Sequence, residues 1–170
     1  HNLNYPRGIA VDSYGNIFIA DHSNERIRYI YNGGDLFGLN HQVGWIYTAT
    51  TTTKRPNNIC IDNYGDILYT TNHDQVFRLK RSDASVELVA GIYNSSTSSG
   101  DGGFAKDARF VYLGGIAVDS SNNIFVVDND GDNIRVISTY DATITTIQNY
   151  DLNGATLIQM LNEPYGIHID

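Results

Sequence analysis

The chain has 170 residues, 41% of them hydrophobic, and a formal charge of −8. That is enough apolar material for a packed core but the wrong sign for a nucleic-acid partner, whose phosphates require a basic face. No run of 18 apolar residues occurs, so no membrane span is expected. The lone Cys60 excludes an internal disulfide and a cysteine-built zinc site; flanked by Ile59 and Ile61, it reads as a small buried hydrophobe. The first residue is His1, with neither an initiator methionine nor a signal peptide. The expectation is therefore a processed product or a window of something longer.

In chain order, LNYPRGIAVDSYGNIFIADHSNERIRYI (3–30) reads as three short strands at 8–11, 17–20 and 26–30. Two polar turns, 12–16 and 21–25, separate them. A fourth strand is expected at 45–49. The same sentence recurs at 55–79, with its outer strand at 86–91, and at 113–137, with its outer strand at 144–147. Residues 161–170 begin a fourth copy. The aspartates closing each first strand, Asp12, Asp62, Asp119 and Asp170, are spaced by 50, 57 and 51 residues. A recurring period of this size, with strands only, predicts a propeller or solenoid array. The first turns carry Asp, Asn and Gly, which adopt positive φ cheaply. Helical periodicity is absent, and the strands are near-continuously apolar, as expected if both faces of each sheet pack. The predicted fold is all-β: four-stranded antiparallel blades at about 3–52, 53–105 and 110–150, plus the first strand of a fourth at 161–170.

The pattern P-x-G-I-A-V-D-x-x-G-N-I-F-I-A-D-x-x-N-x-R-I-R resembles the NHL repeat, the blade unit of NHL β-propellers. The outer-strand segments LVAG (88–91) and ITTI (144–147) are similar to that family too. So is the linker SGDGGFA (99–105), which is similar to the linker of extracellular members. Copy two departs from the pattern, with Thr71 where copies one and three have Asp21 and Asp128, and Gln75 in place of Arg26. The resemblance implies a closed ring, commonly of six blades, which at about 50 residues per blade needs roughly 300 residues. Three blades and a strand leave two faces bare. Each is on the order of 500 Å², worth roughly 12 kcal/mol at about 25 cal/mol/Å². The expectation is one arc of a longer propeller, or a chain packed against others in an assembly.

Several clusters invite chemistry. The first-strand aspartates form either a carboxylate ring around a channel or caps for the turns that follow, and turn capping is the reading taken. Asp21 and Asp128, with Arg26, Arg28 and Arg135, resemble the family's Asp/Arg pair across the second turn; a partly exposed ion pair is expected there. Asp128, Asp130 and Asp132 alternate as in a calcium loop, but the glycine and glutamate that an EF-hand needs are misplaced. His22, His73 and His168 are the candidate zinc set, with His1 and His41 elsewhere. No general base accompanies them at a recognisable spacing, and G-x-S-x-G and H-E-x-x-H are missing. No cofactor is therefore expected, with calcium or zinc as the alternatives. Asn94 heads the Asn-Ser-Ser sequon, in a Ser/Thr-rich loop, and 48–53 is almost pure threonine. Tyr14 and Tyr64 at hairpin tips, and Asp101 in the linker, are the candidate ligand or partner contacts.

The expected function is a non-enzymatic scaffold, extracellular or at the cell surface. Its partners would be proteins, glycans or further blades and copies in an assembly or filament. The enzyme alternative is an amidating-lyase-like or lactonase-like metal-dependent propeller. An RNA-binding propeller is disfavoured by charge.

Overall fold

The computed structural model describes residues 2–52, 54–147 and 165–169. It contains three four-stranded antiparallel sheets. The first is β1 (Pro6–Val11), β2 (Ile17–Asp21), β3 (Arg26–Ile30) and β4 (Ile46–Thr51). The second is β5 (Pro56–Ile61), β6 (Ile67–Thr71), β7 (Val76–Leu79) and β8 (Val86–Ala90). The third is β9 (Leu113–Val118), β10 (Ile124–Asp128), β11 (Asn133–Ile137) and β12 (Ile144–Thr146). Within each sheet the strands follow chain order, an up-and-down meander. The only helical pieces among the described residues are single 3₁₀ turns at His22–Asn24 and Ala105–Asp107. This is a partial β-propeller, with the inner strands β1, β5 and β9 side by side.

Register explains the packing. Ala10, Phe18, Tyr29 and Tyr47 pair across the first sheet and share one face. That face meets Ile59, Ile67, Tyr69 and Leu79 of the second sheet in one apolar cluster. The opposite face of the second sheet, with Leu68, Val76 and Ala90, meets Leu113, Ile116, Ile124, Val126, Ile137 and Ile144 of the third in another. Strands sandwiched in this way bury both faces, as in β6, where all five residues are buried.

The first sheet differs at its inner strand. Ile9 and Val11 are 66% and 60% exposed, whereas the equivalent Ile59 packs in the first cluster. This exposure is confined to β1, since Ile19 of β2 and Arg28 of β3, in the same cross-strand row as Ile9, are buried.

Of the fourth copy, residues 165–169 are described; they run beside β9, where the Gly115 N–H donates to Tyr165 O (3.0 Å), as a further segment beyond the three sheets. Residues 161–164 and Asp170, together with the 148–150 end of the third copy, lie outside the described residues.

Candidate functional site

The first-turn aspartates organise one end of the arc. Asp12 Oδ1 accepts the N–H groups of Tyr14 (2.9 Å) and Asn16 (2.8 Å). Asp62 does the same for Tyr64 and Asp66, and Asp119 for Ser121 and Asn123. Each carboxylate thus closes its own turn.

Polar contacts then stitch neighbouring turns together. Arg81 of the second blade donates from NH1 to Asp12 Oδ2 (2.6 Å) and lies over the Tyr14 ring at 5.1 Å. Asn63 Nδ2 donates to the backbone oxygens of Asp119 and Ser120. Tyr14 is 55% exposed and Tyr64 79% exposed. Tyr64 borders a groove of about 330 Å³ between the second and third blades.

At the second turns the carboxylates hold the lead-in to each inner strand. Asp21 Oδ1 accepts the Asn4 N–H (2.8 Å), and Asp128 Oδ1 accepts the Val111 N–H (2.7 Å). The second blade has Thr71 at this place, and Asp74, three residues on, reaches forward to accept the Tyr112 N–H of the third blade (2.8 Å). The expected Asp/Arg pair is Asp21 with Arg28, not Arg26, at 3.7 Å, and it is buried rather than partly exposed. Arg28 is two residues along the same face of β3 from Arg26, which stands opposite Asp21 in the ladder.

Arg135 is the most deeply engaged cation. Its side chain is 1% exposed. It donates twice to Asp101 Oδ1 (3.0 and 2.6 Å), and also to Ser98 Oγ and the backbone oxygens of Ser99 and Arg109. It also stands over the Phe110 ring at 5.3 Å. Asp101, half exposed, thereby ties the glycine-rich linker to the blade.

The aspartates titrate apart. Burial works to raise Asp12, but its hydrogen bonds from Arg81, Asn16 and Tyr14 prevail and hold it low. Asp119 is also lowered, by Asn123 and Ser121 against burial. Burial dominates at Asp62, Asp74 and Asp128 and pushes all three up. Arg78 Nε lies 3.3 Å from Asp62 Oδ2, close enough to attract but not aligned to bond. Burial, with Asp62 nearby, pushes the Cys60 thiol up to about 12, so this cysteine is no nucleophile.

A raised carboxyl binds its proton more tightly folded than unfolded. Its contribution to stability is full below the unfolded value, about 4, and is lost as pH rises through the folded value. Lowered carboxyls contribute above about 4 and lose their share as pH falls. As pH falls from 7 the three raised carboxyls favour the fold while the lowered His22 opposes it, and below about 4 the lowered carboxyls lose their share. Asp128→Asn removes one raised carboxyl, so its melting temperature relative to the parent chain is expected to be higher at about pH 8 than near pH 4. Melting curves in which the difference between the two proteins stays the same across this range would contradict it.

The metal candidates do not converge. Asp128 is fully buried between Ser98 and Val111, and Asp130 is exposed. Asp132 turns the chain with φ 53°. His22 Nδ1 lies 3.0 Å from Pro56 O, its pKa lowered by burial first. His73 stacks on Tyr93, and His168 borders the central channel, a cavity of about 430 Å³ bounded by β1, β5, β9 and 167–169. No three His, Cys, Asp or Glu side chains gather around a point among the described residues. Asn94 sits exposed in a turn at φ 54°, its N–H bonded to His73 O.

At the far end from the first turns, the channel mouth holds a cluster that motif reading missed. Tyr5, Arg7, Asn57, Asn58 and Tyr165 surround a cavity of about 290 Å³ with β9. Arg7 NH1 donates to Asn57 Oδ1 (2.8 Å) and to the Tyr112 hydroxyl (3.0 Å). Tyr165 bonds the Tyr112 hydroxyl and lowers its pKa, with Arg7 acting in the same direction. The available signal was positional: Arg7, Asn57 and Tyr165 each stand five residues before the recurring aspartate of their copy.

Residues 3–28 match the NHL repeat model. No curated protein matches the chain. Among solved structures, an auxiliary nutrient binding protein from Bacteroides ovatus is similar with TM-score 0.71 and 16% identity, covering 98% of this chain and 43% of that one. Virginiamycin B lyase from Staphylococcus aureus has TM-score 0.63 and 17% identity, covering 95% and 44%. A gluconolactonase from Xanthomonas campestris has TM-score 0.64 and 11% identity, covering 88% and 49%. These likenesses show the fold, and the chain spans less than half the length of each.

Proposed function

We propose that this NHL-repeat chain, an arc of a β-propeller, serves as a non-catalytic binding scaffold in an extracellular or cell-surface protein. Its partners in this reading are proteins, glycans or further blades. One observation carries it. The groups suited to chemistry are engaged in holding strand lead-ins, the linker and neighbouring blades in place, while exposed tyrosines crown both ends. Asp21, Asp74 and Asp128 hold backbone amides, and Asp101 holds Arg135. Tyr5, Tyr14, Tyr64 and Tyr165 are each more than half exposed. Loops at the ends of a rigid β framework are where such proteins bind. Likeness to a nutrient binding protein agrees with this role. Asn94, exposed in its turn, is then a sugar acceptor, to be checked by intact mass before and after deglycosylation.

The rival reading, a metal-dependent lyase or lactonase, draws on two similar structures and on His168 in the channel. Assays of the full chain against a lactone panel and a cyclic depsipeptide separate the two, run with zinc, calcium or magnesium and with chelator. No turnover above background is expected. Metal-dependent turnover would overturn the scaffold reading.

A further inference from the structure

The geometry points to the channel mouth as a binding site for a carboxylated sugar, a uronic acid residue of a glycan. This deepens the scaffold reading and rests on it. Arg7 lies at the centre of the mouth, on β1, and is exposed. Its NH1 bonds reach Asn57 of the second blade and Tyr112 of the third, which fixes the guanidinium plane across the arc. The rest of the guanidinium carries no hydrogen bond among the described residues. A fixed planar fork presenting a free edge matches the two oxygens of a carboxylate.

The surroundings choose among anions. Tyr5, 69% exposed, has its ring 5.9 Å from the Arg7 guanidinium, and Tyr165, 61% exposed, lines the same cavity. Tyrosine rings offer an apolar face and a polar tip, which suits a pyranose whose faces are C–H and whose rim is hydroxyl. Asn57 and Asn58 line the same cavity. Its volume, about 290 Å³, is at the small end for ligand sites and fits one sugar residue rather than several. A phosphate dianion is the poorer match. Arg7 is the one cation lining the cavity among the described residues, Asp130 acts on Tyr112 nearby, and the chain carries −8 overall.

Calorimetric titration of the full chain tests this. The probes are a galacturonate disaccharide, the matched neutral galactose disaccharide, acetate and inorganic phosphate. The expected result is saturable uronide binding, with the neutral sugar and acetate each at least about tenfold weaker. Arg7→Lys keeps the charge but not the fork, and should weaken the uronide about tenfold while leaving the neutral sugar unchanged. Because Arg7 also bridges blades, its variant is read beside its melting curve. Tyr5→Ala, which breaks no inter-blade hydrogen bond, serves as the second probe and should weaken the uronide as well. Equal affinity for uronide and neutral sugar, equal affinity for phosphate, or uronide binding untouched by both variants would overturn the site. Absence of uronide binding with blank turnover assays sinks this site alone. Turnover sinks the scaffold reading whatever the uronide does.

Discussion

Arg135→Ala is expected to destabilise the chain by about 3–5 kcal/mol, the effect of removing one partner from a buried charge cluster. The loss has three parts. Asp128, fully buried 3.9 Å from NH1, is left with only Ser98 and the Val111 amide. The backbone oxygens of Ser99 and Arg109 each lose a second donor and keep only each other's amide, and Phe110 loses the cation above its ring. Lysine should rescue little, because three donors on one nitrogen cannot replace a fork that reaches Asp101, Ser98, Ser99 and Arg109 together. Since burial already raises Asp128, the penalty should be larger at pH 8 than at pH 5, where the carboxyl can take up a proton. The comparison is Arg55→Ala. Its pair with Glu25 is 3.8 Å long and about half exposed on both sides, and losing it should cost less than about 1 kcal/mol. Urea unfolding measures both, and protease nicking between Ser98 and Arg109 reports the freed linker. Equal costs for the two variants would refute the hub.

Gly91→Ala is expected to cost about 4 kcal/mol. At about 2–4 °C per kcal/mol, that lowers the melting temperature by roughly 10–15 °C. Gly91 follows β8 with φ +96°, where a side chain is strained in any case. The larger cause is space, since an added Cβ would lie 2.2 Å from Asp74 O and 3.1 Å from Gln75 Cα, both backbone atoms. The position is also bonded in both directions, donating to Ala105 O and accepting from Gln75 Nε2. Gly44→Ala separates the two causes. Gly44 has φ +81° with nothing within 4 Å of the new atom, so only the conformational part, about 1 kcal/mol, should appear. Similar melting curves for the two variants would show that the crossing under Asp74 can relax.

Local chemistry was the legible part of the fold. The turns after β1, β5 and β9 follow from an aspartate bonding amides two and four residues ahead, a relation contained within one short stretch. The blades follow from repetition of that stretch. What joins one blade to the next was not legible, because it depends on contacts with no fixed sequence separation. Arg81 meets Asp12 across 69 residues, and Arg7 meets Tyr112 across 105. The missing aspartate at Thr71 looked like a gap in the motif, yet Asp74 performs an equivalent task for the next blade. The Asp21 pair was expected to be partly exposed, because it was read as an ion pair across a turn. Burial around Asp21 and Arg28 places it inside. The channel-mouth cluster escaped for a related reason: Arg, Asn and Tyr at equivalent positions look like noise in a repeat until they are brought around one axis.

The two carboxylates at the lead-in to β9 have a mechanical consequence. Val111 is gripped by Asp128 of its own blade and Tyr112 by Asp74 of the preceding one, on adjacent peptide groups. Tyr112, held at φ 57°, carries the hydroxyl that Arg7 grips at the mouth. A small tilt between the second and third wedges therefore drags these neighbouring amides in different directions and swings that phenol. Conversely, whatever tightens around the phenol stiffens the wedge seam, so the rim of the pore and the angle between blades answer to the same lever.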